Sequence, residues 1–281
     1  MSLLKLRASS KPAKKSRLAV EQLEDRVVPA ITFAQYGNGT FAYNSDTKQF
    51  RQITTAQAKA MDEGADGTLF ASYNSGTFKY TYSTNAWTKL TTAQSTALSA
   101  ANDNTLFASY SSGTWEYDST GWHKMSSAVA AKLAAVRDNS FYGDYSGGLY
   151  KFKDGVWSNL TSARTTGAMD ASSGGTLFVS YNSGTWRYRE ADSSVGAPAG
   201  WTRMTTAIAS DIAVVSSRQF YATYSTGTWR ADDANWTKLS SAKATNIAAD
   251  NTSFVGTFSD GTWEHKGGWA KISGAKATLM A

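Results

Sequence analysis

Few residues in this chain could do covalent chemistry. It has no cysteine, which excludes disulfides, thiolate nucleophiles and thiolate metal sites. His123 and His265 are the only imidazoles, and no Ser/His/Asp grouping forms around either. The run Asp62-Glu63-Gly64-Ala65-Asp66 offers oxygen ligands for calcium, but it occurs once and reads as a turn. What recurs is a cluster of hydroxyls and aromatics: Tyr73-Asn74-Ser75-Gly76-Thr77-Phe78, Tyr110-Ser111-Ser112-Gly113-Thr114-Trp115, Tyr181-Asn182-Ser183-Gly184-Thr185-Trp186 and Tyr224-Ser225-Thr226-Gly227-Thr228-Trp229. Aromatic rings stack on the C–H faces of sugars, and turn hydroxyls hydrogen-bond their rims. The binding candidates are therefore Tyr73, Ser75, Tyr110, Ser112, Tyr181, Ser183, Tyr224 and Thr226. No catalytic residue, metal site or cofactor is expected.

The elements that must position these residues follow from the repeat. Its glycines fall at Gly39, Gly76, Gly113, Gly148, Gly184, Gly227 and Gly261, spaced 37, 37, 35, 36, 43 and 34 residues apart. A period of this size means one supersecondary unit packed against copies of itself. Around each glycine stands an aromatic three residues before (Tyr36 to Phe258) and another two residues after (Phe41 to Trp263). A third follows at Phe50, Trp87, Trp122, Trp157, Trp201, Trp236 and Trp269, each with an apolar residue three positions on. Aromatic and β-branched runs of four to six residues, broken by Gly, Asn, Asp and Ser, predict strands joined by tight hairpins.

Each unit holds four strands, in the third copy roughly 97–101, 106–110, 114–118 and 122–126. The first is small and aliphatic, as the crowded innermost strand of a blade requires. Four strands at this period predict an all-β chain forming a single seven-bladed β-propeller over residues 31–281. The first copy lacks its inner strand, and the last continues through Ser273–Ala281 into a surplus one. That surplus strand is expected to complete the first blade and remove the open edges. The spacing of 43 residues reflects an insertion at 189–200, between the third and fourth strands of the fifth blade.

The net charge is +6, but residues 1–30 carry +4 of it. The near-neutral ring gives little counterion-release drive, so nucleic acid is not an expected partner. No stretch reaches the ~18 apolar residues of a membrane span. The position after the second aromatic, Ala42, Lys79, Glu116, Lys151, Arg187, Arg230 and Glu264, is expected on a solvated rim of mixed charge. Trp115, Trp186, Trp229 and Trp263 are expected to serve mainly in packing.

The N-terminal thirty residues lack the repeat. Lys5, Arg7, Lys11, Lys14, Lys15 and Arg17 form a basic arm, and Leu23-Glu24-Asp25-Arg26-Val27-Val28-Pro29 follows. This segment resembles the Leu-Glu-x-Arg-x-x-Pro leader of exported and cell-surface proteins of planctomycete bacteria, with Asp25 where proline is commoner. The resemblance implies export, to the cell envelope or beyond, with processing near Pro29-Ala30. Ser259-Asp260-Gly261-Thr262-Trp263 faintly resembles the Asp-box of sialidases, themselves propellers, but the residue that family places between Gly and Thr is missing. Taken together, these features predict a non-enzymatic surface module for binding or adhesion, with a glycan or cell-surface polymer as ligand. The alternative is a protein-interaction scaffold with one dominant surface; a sialidase-like hydrolase is a third reading.

Overall fold

Each repeat folds as four antiparallel strands in a computed structural model that describes residues 31–64, 67–102, 104–191, 199–233, 235–250 and 253–281. The leader, most of the 189–200 insertion and the end of the acidic run at 62–66 lie outside the described residues. In blade three the strands are Ala97–Ala100, Leu106–Tyr110, Gly113–Asp118 and Gly121–Ser126, from inside to outside. Seven such sheets make an all-β propeller. The inner strands of neighbouring blades lie side by side, and side chains such as Leu98, Ala134 and Ala213 suit that crowding. The bulk of the core lies one strand further out, where Phe33, Phe70, Phe107, Phe141, Phe178, Phe220 and Phe254 are completely buried.

The inner strand of blade one is Leu279–Met280, antiparallel to Ile31–Tyr36, with Ala34 opposite Met280 and Gln35 opposite Leu279. Phe33 and Ala281 exchange backbone N–H···O bonds of 2.8 and 2.9 Å, and the Thr278 N–H donates to Gln35 O at 2.7 Å. The two ends of the chain therefore share one sheet.

The repeated glycine and the apolar residue after the third aromatic are parts of one device. In every blade the pairing of the third and fourth strands slips just after the glycine, for instance between Thr77 and Phe78, where Thr77 opposes Thr91 and Phe78 opposes Lys89. Leu90 is the extra residue of this β-bulge, as Ile53, Met125, Leu160, Met204, Leu239 and Ile272 are in the others. The bulge brings the Thr91 carbonyl against Gly76: a Cβ at this position, whose φ is +129°, would lie 2.1 Å from that oxygen. Only glycine fits. In three blades the carbonyl of the bulged residue then accepts the next blade's indole N–H, from Trp87 to Ile53 O, Trp122 to Leu90 O and Trp269 to Leu239 O, at 3.1–3.2 Å.

Candidate interaction face

The recurrent tyrosines lie between blades. Tyr73, Tyr110, Tyr181 and Tyr224 are 3–8% exposed. The Tyr73 hydroxyl donates to Thr40 of the preceding blade at 3.3 Å, Tyr110 to Thr77 at 3.2 Å, and Tyr145 to Thr114 at 3.2 Å. Each threonine passes its own proton on to a backbone carbonyl, Ala56, Ala93 and Ala128 respectively. Burial pushes the phenols of Tyr73, Tyr110 and Tyr145 up to about 12. Two tyrosines depart from this pattern. Blade four has Leu149 where the others have threonine, and the buried Tyr181 hydroxyl has no hydrogen-bond partner among the described residues; the Tyr224 hydroxyl also lacks one, although Thr185 stands beside it.

The hydroxyls of the predicted set stand apart from these rings. Ser75, Ser112, Ser183 and Thr226 are exposed on the hairpin turns. Ser112, Ser183 and Thr226 accept the indole N–H of Trp115, Trp186 and Trp229 at 3.0–3.2 Å. The structure therefore distributes the eight candidates over blades two, three, five and six, rings inside and hydroxyls outside, and does not assemble them into one pocket.

What the turns do assemble is a face. Antiparallel order places the turn between second and third strands on the same side as the loop linking each outer strand to the next inner strand. On this side, or on the strand halves nearest it, stand Lys59, Lys89, Lys124, Lys132, Arg164, Arg203, Lys238, Lys243, Lys271 and Lys276, against Asp144, Asp211 and Asp260 among the described residues. Five of the cations lie over the second aromatic of their own blade: Lys89 over Phe78, Lys124 over Trp115, Arg203 over Trp186, Lys238 over Trp229 and Lys271 over Trp263, at 5.6–5.9 Å from the ring centres. Val129 and Ile208, in two of the linking loops, are 42% and 43% exposed. Between blades six and seven a hollow of about 240 Å³ opens, lined by Ser240, Ala242, Phe258, Ser259, Asp260, Trp263 and Trp269.

On the opposite side several charges are tied up between blades. Arg51 donates to Tyr80 Oη and to Tyr82 O, Arg187 and Arg189 share Asp233, and Lys151 pairs with Glu190. Glu264 accepts from Tyr43 at 3.0 Å and pairs with Lys48 at 2.5 Å. The expected solvated rim is thereby corrected at three positions: Ala42 is 0%, Glu264 1% and Lys151 7% exposed. Ionic groups stay so deep because partners on the neighbouring blade replace their water.

Two further groupings of polar side chains bear on chemistry. His123 Nε2 lies 2.7 Å from Thr120 Oγ1 and 3.2 Å from Asp118 Oδ1, the first two residues exposed and Asp118 half-buried. A nucleophile–base–acid relay needs the two partners on different ring nitrogens, and here one nitrogen serves both. The inner strands carry the second grouping. Asp62 accepts from Ser99 Oγ and Ala100 N, Asp170 from Val214 N at 2.7 Å, and Asp211 from Ile247 N at 2.9 Å, each stapling its blade to the next. Burial pushes the Asp170 carboxyl up to about 7 and Asp211 to about 6, against the lowering effect of those backbone donors. Glu63 is raised well above the usual range by burial, Asp62 and Asp250. Among the described residues, no group of three His, Asp or Glu is arranged to hold a metal ion.

No family model matches the chain, and no curated protein sequence matches it. Solved structures do. The chain is similar to the WD40 repeats of RRP9 (9% identity, 88% of this chain and 89% of that one, TM-score 0.60) and to U3-55K (8%, 81% and 84%, 0.59). It is also similar to YCF48 bound to D1 peptide (10%, 80% and 86%, 0.56). At these identities the likeness is one of fold, a propeller with WD40-like neighbours.

Proposed function

We propose that the chain is a non-enzymatic protein-interaction scaffold that engages its partner through the turn face. The observation that carries this reading is the segregation of charge. Among the described residues, ten cations against three carboxylates lie on one side, beside exposed aromatic and aliphatic surface, while on the other side cations and carboxylates are closer to balance and several are held in contacts between blades. A near-neutral total therefore conceals one dominant surface. Cations over aromatic rings with an apolar patch nearby suit a protein partner. The solved propeller bound to D1 peptide adds a precedent on a similar fold.

The glycan reading has less support, because five of the second aromatics lie under a cation and seven of the ten indole N–H groups already have partners. The export implied by the leader belongs to the same proposal and places the partner outside the cytoplasm. The scaffold reading is tested by cross-linking the full chain through its lysines in an extract of its own source and mapping the products. Partner links should concentrate on Lys59, Lys89, Lys124, Lys243 and Lys276. Links spread equally over Lys48, Lys79 and Lys266, or salt-resistant binding to a set of related sugars, would overturn it.

A further inference from the structure

We infer that the sector of the turn face formed by blades six and seven takes extended acidic peptide segments, with an apolar side chain of the peptide seated in the hollow beside Trp263. This rests on the scaffold reading and names its partner. The hollow, about 240 Å³, is smaller than the roughly 300–1,000 Å³ of small-molecule sites and suits a single inserted side chain. Its exposed surface is more apolar than polar, the apolar part coming from Phe258, Trp263 and Trp269, the last 37% exposed.

The two indole N–H groups and the Ser240 hydroxyl oxygen of the hollow already have partners. The Trp263 N–H donates to Asp260 at 3.1 Å, the Trp269 N–H to Leu239 O at 3.2 Å, and Ser240 Oγ accepts from Ala242 N at 3.0 Å. A polyol, which needs donors and acceptors beside ring faces, meets Ser259 and the already engaged Asp260 there. An aliphatic or aromatic side chain meets the surface it requires.

The charge around the hollow selects the rest of the segment. Lys243 directly follows Ala242 in the linking loop, and Lys276 stands at the equivalent place one blade on. Both are exposed, and neither makes an ion pair among the described residues. Lys238 and Lys271 add two more cations. The opposing carboxylate is Asp260, 3.7 Å from Lys271. A peptide crossing the hollow from loop to loop would place acidic side chains on both sides of its apolar one. A nucleic acid would gain from the lysines but not from the hollow, and this favours the peptide.

The full chain is panned against a random dodecapeptide display library, alongside the Lys243→Glu/Lys276→Glu variant and Trp269→Ala, each checked for an unchanged circular dichroism spectrum. Selected sequences are remade as fluorescent peptides and titrated at low and high salt. Enrichment of Asp or Glu flanking Leu or Phe is expected, with at least tenfold weaker binding to the double variant and to Trp269→Ala. Selected peptides without acidic residues, or bound equally by the double variant, would overturn the inference and leave the scaffold reading standing. Polyglutamate or single-stranded DNA competing as well as the selected peptides would assign the sector to general polyanion attraction, and that too overturns it. A library yielding no binder also overturns it, and the cross-linking map then decides the scaffold reading separately.

Discussion

The same substitution at equivalent tyrosines is expected to change stability in opposite directions. Tyr110→Phe removes a hydroxyl that donates to Thr77 at 3.2 Å in a buried seam. A neutral hydrogen bond of this kind contributes about 1 kcal/mol. Thr77 keeps its own bond to Ala93 O, so no larger penalty follows. Tyr181→Phe removes a buried hydroxyl that has no partner, because Leu149 occupies the acceptor's place. Burying an unpaired hydroxyl costs about 1–3 kcal/mol, and deleting the oxygen forfeits only a few weak dispersion contacts, so a gain of about 1 kcal/mol is expected. The two variants should thus differ by about 2 kcal/mol, or roughly 4–8 °C in Tm for a domain of this size. Blade seven supplies a natural precedent in Phe258, 6% exposed at the equivalent position. Urea midpoints followed by tryptophan fluorescence, at unchanged slope, measure the difference. Leu149→Thr completes the cycle: its cost should be about 1 kcal/mol smaller with Tyr181 present than with Phe in its place. Equal destabilisation by Tyr181→Phe and Tyr110→Phe would refute the clasp as the reason for the repeated Tyr–Thr pair.

Three other outcomes are expected. Asp170 has a carboxyl raised to about 7 by burial, so its favourable contribution is complete below the unfolded value near 4 and is lost as pH rises through 7. Asp170→Asn keeps an acceptor for Val214 N without the charge. It should therefore stabilise more at pH 8 than at pH 5, by about 2 kcal/mol once the part-exposed position is discounted from the full linkage value, and a pH-independent difference in urea midpoints would count against the argument. Gly76→Ala should cost about 3 kcal/mol or more, against about 1 kcal/mol for Gly121→Ala, because both have positive φ but only Gly76 faces a carbonyl within van der Waals distance. Thermal denaturation of the pair decides this, and equal losses would show that backbone conformation alone sets the cost. Removing residues 278–281 deletes the backbone bonds between the chain ends and should lower stability by about 3 kcal/mol, far beyond the effect of trimming a frayed terminus. A Tm within a degree of the parent would show that blade one does not need its inner strand.

The architecture was legible in the chain because its signals are local and repeated seven times. Glycine before threonine and an aromatic marks the turn, the small aliphatic run marks the inner strand, and the surplus run at 273–281 shows where the missing strand comes from. Part of the candidate face was also written there. A cation stands two residues after the third aromatic at Lys89, Lys124, Arg203, Lys238 and Lys271, but its meaning depends on strand direction and on the bulge that carries each cation over its ring. The roles of the tyrosines could not be read, since Tyr110 and Thr77 lie 33 residues apart and the motif looks the same whether its ring faces solvent or a neighbour. Nor could the rim be read, because Glu264 is buried only by Tyr43 and Lys48 from the far end of the chain. Backbone conformation and strand periodicity are properties of a few neighbouring residues, and sequence by itself determines them. Burial, charge segregation and hydrogen-bond satisfaction depend on which blade stands next, and only closure of the ring decides that.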